Sequence, residues 1–301
     1  MLRLPGGTFL MGSEEFYEEE RPVREATVEP FWIDERQVTV AEFQRFVEAT
    51  GYVTVAEQPP DPAMYPDADP KLLVAGSLVF QATPGPVDLR DVTNWWSFVP
   101  GADWRHPEGP GSTLVGREDH PVTQVTFVDA TAYAAWAGKE LPTEAEWEFA
   151  ARGGLEQARF TWGEEFAPDG KMMANTWQGE FPWQNLLQDG FAGTSPVGSF
   201  PPNGYGLFDM AGNVWEWTAD AFGTNGSAMD HACCAPDMPR TTEEGTVPPG
   251  VEATEIPRNV IKGGSHLCAP NYCLRYRPAA RQSETIDTST GHLGFRCVVR
   301  S

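Results

Sequence analysis

Two cysteines near the C-terminus have the types and spacing for chemistry. Cys268 and Cys273 stand with four residues between them in Gly263-Gly264-Ser265-His266-Leu267-Cys268-Ala269-Pro270-Asn271-Tyr272-Cys273. Pro270 falls in the gap and opposes a continuous helix, because it has no N–H to donate and its ring collides with the preceding turn. A bent loop can bring the two sulfurs together as a disulfide, or as two thiolates on one soft metal ion. The paired glycines upstream allow a tight turn or a close backbone approach. Spacing alone leaves this chemistry and a pair of small buried hydrophobes equally open.

A second group of residues suits a hard cation. Asn175, Asp189, Asp209 and Glu216 recur among glycine-rich turns whose carbonyls can complete an oxygen shell. There is no EF-hand pattern, and the same residues can instead cap their own turns. The other three cysteines offer less. Cys233 and Cys234 are adjacent beside Asp230 and His231 and read as incidental thiols; Cys297 reads as a core residue.

The elements that must position these groups are short. Thr39 with Glu42, and Thr143 with Glu146, have capping-box spacing. Phe43, Phe46 and Val47 give the first helix one apolar face, and Gly51 stops it. A further helix starts near Thr126 and Asp129 and ends at Gly138. The helices at Thr126 and Thr143 read as packing elements. Phe31-Trp32-Ile33 and Ser77-Leu78-Val79-Phe80 read as strands, and Phe295, Cys297 and Val299 alternate as in a final half-buried strand. Residues 14–20 form an acidic run expected to be a solvated loop. Trp95, Trp96 and Trp104 sit in loop-like context, where aromatics line a groove or plug a core. Residues 219–258, rich in Pro, Gly, Thr and Glu, read as a long surface insertion.

Composition narrows the function. With 301 residues, 41% of them hydrophobic, the chain can bury a sizeable core. Thirty glycines, 27 prolines and 11 tryptophans favour a loop-rich globular fold over a bundle or repeat array. A net charge of −22 argues against nucleic acid and against acidic membrane surfaces as partners. The start has no apolar signal region and no run is long enough to span a bilayer, so the expected compartment is the cytoplasm. Five cysteines cannot form a complete disulfide framework within one chain.

Several segments in order resemble the formylglycine-generating enzymes, or sulfatase-modifying factors. They are residues 5–12 (PGGTFLMG), 104–109 (WRHPEG), 119–122 (DHPV), 136–139 (WAGK), 141–148 (LPTEAEWE), 203–207 (NGYGL), 212–217 (GNVWEW) and 294–297 (GFRC). Most of these mark a wider superfamily. Gly263-Gly264-Ser265 before the cysteine pair, with Arg275-Tyr276-Arg277 after it, narrows the match to the formylglycine-generating branch. The resemblance implies an α+β fold: one loop-rich domain over residues 1–301, low in regular secondary structure and related to the C-type lectin fold. It implies an enzyme of post-translational modification that uses dioxygen to turn the cysteine of a Cys-X-Pro-X-Arg motif in an unfolded or nascent sulfatase into Cα-formylglycine.

The same resemblance assigns roles. Cys268 and Cys273 would hold Cu(I) as an exposed clamp, with the substrate cysteine adding a third sulfur. Redox exchange through a disulfide of the same pair is the alternative, but it gives dioxygen no obvious partner. Ser265 would orient an oxygen species or water, a thiol reductant would complete the cycle, and Ser77, Trp96, Ser289 and His292 would line the peptide groove. One structural Ca2+ would take Asn175 and Asp189 with backbone oxygens of Thr176 and Phe191; another would take Asp209 and Glu216 with carbonyls of Gly212 and Val214. Some departures matter. Ala269 replaces a histidine found in some members, and Ala134, Ala150 or Ala151, and Pro278 replace structural cysteines, which leaves Cys297 unpaired and suits a reducing compartment. The rival readings are a non-heme iron sulfoxide synthase, which needs a histidine-rich facial site, and a non-catalytic lectin-like binding module.

Overall fold

The two capping boxes read from spacing, at Thr39 and Thr143, both form, and the helix expected near Thr126 and Asp129 opens on another. In the computed structural model, which describes residues 1–66, 68–223 and 256–300, Thr39, Thr126 and Thr143 each accept the backbone N–H three residues on, and the acid there accepts back. They open α1 (Val40–Thr50), α2 (Phe127–Trp136) and α3 (Glu144–Arg152). Gly51 and Gly153 end α1 and α3 at φ +68° and +57°, where a side chain would be strained.

The strands are short and fall into four small sheets among the described residues. In chain order they are β1 (Leu2–Leu4), β2 (Gly7–Met11), β3 (Arg24–Val28), β4 (Phe31–Ile33), β5 (Gly76–Phe80), β6 (Trp96–Pro100), β7 (Trp215–Ala221), β8 (Arg258–Lys262), β9 (Arg281–Thr285), β10 (Leu293–Gly294) and β11 (Val298–Arg300). Ile33 of β4 pairs with Leu2 on one side and Val298 on the other, so the two ends of the chain share a sheet. The sheet that carries the site runs β10-β7-β8-β9. β10 and β7 are parallel, with Leu293 opposite Trp215 and Gly294 opposite Glu216. β2-β3 and β5-β6 are hairpin-like antiparallel pairs.

The core is aromatic. Phe43 stacks on Tyr133 and meets Trp104 edge-on, and Trp215, Trp217 and Phe295 are fully buried in the same cluster. Trp95, Trp96 and Trp104 are all buried: loop tryptophans supply core where regular elements are short. Few helices, small sheets and long connections make this the α+β, loop-rich fold expected from the sequence. Asp230, His231, Cys233 and Cys234, and most of the expected insertion, lie outside the described residues. The ends of that segment are ordered differently from expectation, because β7 extends to Ala221 and β8 begins at Arg258.

Two local expectations are corrected. Residues 293–298 are continuously buried, and β11 begins only at Val298. The alternation fails because Arg296, nominally the outward residue, turns inward onto Glu216. The acidic run is also only partly solvated, since Glu20 is buried against Arg277.

α3 carries charge into the interior. Glu148 is 1% exposed, 3.0 Å from Lys262 Nζ and 2.7 Å from Arg152, and accepts the Gly12 N–H. Burial pushes its carboxyl up, but Lys262 and Arg152 outweigh that and hold it below the usual range. Glu148→Gln would remove the nearest counterion of two buried cations, leaving Lys262 only the more distant Glu144 at 3.7 Å, and is expected to cost about 3 kcal/mol near neutral pH. The carboxylate stabilises above its unfolded pKa of ~4.3 and loses that effect as pH falls through the lower folded value. Denaturant titrations from about pH 6 to about pH 3 should therefore show the gap between parent and variant closing on acidification; a constant gap would contradict the assignment.

Candidate active site

The loop between β8 and β9 is closed at its root by glycine. Gly264 has φ +69°, and a Cβ there would sit 2.9 Å from the Arg275 carbonyl and the Tyr276 nitrogen. Gly263, at φ +95°, presses on the Trp147 indole, where a Cβ would meet the ring at 3.0 Å. The two ends of the loop thus touch. Inside it, the Cys268 N–H donates to Ser265 and the Cys273 N–H to Ala269, both as tight turns. These turns place Cys268 Sγ 3.1 Å from Cys273 Sγ, and neither cysteine is in a disulfide. That separation is well beyond the ~2.05 Å of a disulfide, so the pair is two thiols in contact. The Ser265 N–H donates to Cys268 Sγ at 3.4 Å.

The sulfurs are covered. Each cysteine is 2% exposed, beside a cavity of about 10 Å³ lined by Trp96, Phe181, Trp215, Ser265, Leu267 and His292. That holds roughly one water. The expected exposed clamp is therefore corrected to a buried pair under an aromatic cover, because Trp96, Phe181, Trp215 and His292 fold over it from remote segments. Ser265 Oγ accepts the Leu267 N–H at 3.2 Å, leaving its own proton to donate. Trp96 and Trp215 have indole N–H groups with no acceptor among the described residues.

The predicted groove residues divide. Trp96 and His292 join the cysteines, their rings 4.9 Å apart. Trp96 comes from β6, and His292 is fixed where its carbonyl accepts the Trp215 N–H at the β10-β7 junction. Ser77 and Ser289 instead form the wall of a larger cleft. Their hydroxyls lie 2.6 Å apart, and Ser77 also donates to Gln124.

Sequence reasoning assigned no role to what holds the loop from behind. Arg275 meets Glu19 at 2.5 Å and lies over the Tyr17 ring; Arg277 meets Glu20 and lies over Phe16. The residues 14–20 are thus a strap on the segment after Cys273. Their adjacency to Arg275-Tyr276-Arg277 in space, and not in sequence, hid this. Tyr276 is fully buried between them, its hydroxyl without a partner among the described residues. Burial and then the nearby Cys268 and Cys273 hold its phenol un-ionised.

The two proposed calcium sets behave differently. Asp189 Oδ2 accepts the Thr176 N–H and Oδ1 the Phe191 N–H, so the chain does gather Asn175, Thr176, Asp189 and Phe191. Asn175 donates through its amide to Gly193, and its buried Oδ1 accepts from nothing among the described residues. An oxygen left so fits a cation. The second set does not fit. Arg296 takes both Glu216 oxygens at 2.7 Å, Trp147 and Gln37 donate to the same carboxylate, and Gln37 also holds the Val214 carbonyl. Asp209 accepts the Gly198 N–H, and burial pushes its carboxyl up to about 6. Gly212 is pressed against the Asn175 carbonyl, which leaves no room for a Cβ.

Histidines do not converge among the described residues, where no group of three or more His, Cys, Asp or Glu could hold a metal. His106, His120, His266 and His292 each bond a different neighbour. Burial pushes His266 down to about 4, and its Nδ1–H donates to the Asn213 carbonyl.

Known proteins resemble this chain along its whole length. The family model for the sulfatase-modifying factor enzyme 1-like domain matches residues 1–301. A formylglycine-generating enzyme from Mycobacterium tuberculosis is 54% identical over 99% of this chain and 97% of its own length, and one from Bos taurus is 44% identical over 99% and 74%. A mouse protein named inactive C-alpha-formylglycine-generating enzyme 2 is 38% identical over 99% of the chain and 84% of its own. Among solved structures, PvdO from Pseudomonas aeruginosa superposes with a TM-score of 0.60 at 25% identity, covering 98% of this chain and 92% of that one.

The root turn yields a test. Gly264→Ala forces the loop ends apart and is expected to speed alkylation of Cys268 and Cys273 by roughly tenfold or more, since both thiols are otherwise shielded. Timed iodoacetamide labelling mapped by peptide mass would read it; unchanged labelling at these two positions would show that the turn does not seal the site.

Proposed function

The chain belongs to the sulfatase-modifying factor family, the formylglycine-generating enzymes, and from that premise we propose that it oxidises the cysteine of a Cys-X-Pro-X-Arg segment in sulfatases to Cα-formylglycine with dioxygen on a Cu(I) site. The observation that carries this reading is the pair of unbridged thiols at 3.1 Å, with the Ser265 N–H on one of them. A relative named as inactive shares the fold, so the domain alone does not supply the activity.

Two soft sulfur donors, with no carboxylate lining their cavity among the described residues, suit Cu(I). Cys268 and Cys273 would hold it, and when bound it would supply dioxygen activation and a seat for the substrate sulfur. The rest falls to the chain. Trp96, Phe181 and Leu267 keep water from the reacting sulfur. The Ser265 hydroxyl, with its oxygen already accepting, is placed to donate to an oxygen atom in the cavity. Neutral Tyr276 keeps a further proton beside the thiols. The overall reaction balances: the substrate thiol, one dioxygen, two protons and two electrons give the aldehyde, one hydrogen sulfide and one water. The two electrons come from a thiol reductant. A cytoplasmic, reducing compartment belongs to the same proposal, since it would keep both thiols open. The iron-dependent alternative lacks a histidine cluster among the described residues.

A Cys-X-Pro-X-Arg peptide in air, with a thiol reductant and added copper, is expected to lose its sulfur and gain an aldehyde, read by mass. Cys268→Ser and Cys273→Ser should each abolish both turnover and copper binding. Full activity in either variant would sink the bis-thiolate site, and an unchanged peptide with the parent would sink the function.

Calcium is proposed for the first oxygen set alone, as a folding aid. Calcium at 100 times its Kd would add about 2.7 kcal/mol, so chelation is expected to lower the Tm by several degrees. Asn175→Ala should remove that chelator sensitivity; a variant that responds like the parent would place calcium elsewhere.

A further inference from the structure

We propose that Tyr276 and Trp162, with the Phe160 ring between them, are the port through which electrons from a thiol reductant reach the covered cysteine site. This rests on the function proposed above and gives a route to the two electrons that its reaction consumes.

The need for a route follows from burial. Cys268 and Cys273 are each 2% exposed, and the cavity beside them holds roughly one water. A thiol molecule is too large to enter it, and a bound peptide closes it further. The electrons must therefore cross protein. Tunnelling falls off so steeply with distance that an oxidisable ring part-way decides the path. Tyrosine and tryptophan are the rings that can lose one electron and regain it. Tyr276 is fully buried in the same core cluster as both cysteines, and its hydroxyl has no partner among the described residues.

From this ring a column runs outward. Phe160 stacks on Tyr276 with centroids 5.9 Å apart and planes 13° apart, and Trp162 stacks on Phe160 at 5.1 Å and 6°. Phe160 is buried and Trp162 half-buried, so the column joins the core to the surface. The turn that carries it is closed, because Phe160 and Gly163 exchange both backbone bonds. The Trp162 indole N–H donates to the Glu165 carbonyl at 2.8 Å, which fixes the outer ring. Other oxidisable rings near the sulfurs stand elsewhere. Trp96 and Trp215 line the cavity, and Tyr272 stacks on Phe181 of the cover. The column leaves on the side of the strap, where Arg159 lies over Phe16.

Each transfer balances. Tyr276 gives one electron and its phenol proton to the site and becomes a neutral radical. An electron from Trp162 and a proton from water restore the phenol. A thiolate at the surface then reduces the Trp162 radical cation. Two transfers join two reductant thiols as one disulfide, and the two protons those thiols release replace the two consumed.

The test runs the port in reverse on the copper-free full chain without air. Photo-excited ruthenium tris-bipyridine, quenched to its Ru(III) form, takes single electrons from the surface. Two such losses at Cys268 and Cys273 release two protons and form one S–S bond, read by peptide mass after the remaining thiols are blocked. The parent should bridge. Trp162→Phe and Tyr276→Phe keep a ring in the stack but not its ease of oxidation, and each should bridge severalfold more slowly. Hydrogen peroxide, small enough to meet the thiols directly, should bridge all three proteins equally. Light-driven bridging at the parent's rate in either variant overturns the port, as does a loss that peroxide shares or a parent that does not bridge. A copper-loaded parent that leaves the Cys-X-Pro-X-Arg peptide unchanged would instead sink the proposed function, and the light-driven result would still judge the column.

Discussion

The fold hangs on one buried ion pair, Glu216 with Arg296. Both residues are essentially unexposed, and the guanidinium meets the carboxylate through two bonds at 2.7 Å. Burying two charges is expensive, and geometry alone does not repay it unless the remaining donors and acceptors are met. Here they are met from three other regions of the chain. Trp147 of α3 and Gln37 donate to Glu216, and Arg296 also donates to the carbonyls of Phe208 and Asp209. A short parallel pair such as β10-β7 has little to fix its register, since each strand offers few ladder bonds. The ion pair fixes it. Trp215, one residue before Glu216, and His292, one before Leu293, are thereby set side by side in the site.

The same logic continues towards the cysteines. Trp147 bonds Glu216 on one side and supports Gly263 on the other, while neighbouring Lys262 is held by Glu148. Arg275 and Arg277 tie the far end of the loop to Glu19 and Glu20. The reactive loop is thus anchored at both ends by cations paired inside the protein. This puts the net charge of −22 in a different light. Several of the scarce basic residues serve as internal ties, so the carboxylate surplus falls on the rest of the molecule. Such a surface attracts cationic segments at long range and repels anionic ones.

Legibility in the sequence followed the range of the interactions. Capping boxes act over three residues, so those at Thr39 and Thr143 were readable from one turn of sequence, and Thr126 with Asp129 marked the start of the helix between them. The cysteine pair was readable as a pair, since Pro270 and the glycines bend a local loop. Its burial was not, because Trp96, Phe181 and His292 arrive from remote segments. Arg296 broke the predicted alternation at the last strand for the same reason: its partner Glu216 is 80 positions away. The acidic run read as solvated because charge composition carries no information on where counterions fold. Glu216 read as a calcium ligand for its oxygen chemistry, and only the fold shows that Arg296 already holds that charge.

Burial of the thiols sets a condition on any chemistry at the pair. A cavity of about 10 Å³ admits a water or a diatomic molecule, and not a peptide's cysteine side chain together with its backbone. A substrate must therefore displace part of the cover, and the parts best placed to yield are side chains, because both loop ends are tied. Trp96 and Phe181 lie over the sulfurs from segments outside the loop. An arriving peptide that takes their place would supply the apolar surface they removed, so the sulfurs stay dry throughout. Dryness keeps bulk water from the reacting sulfur, and it makes the substrate itself the last wall of the site. A site built so keeps its sulfurs covered until a peptide arrives to take the place of the cover.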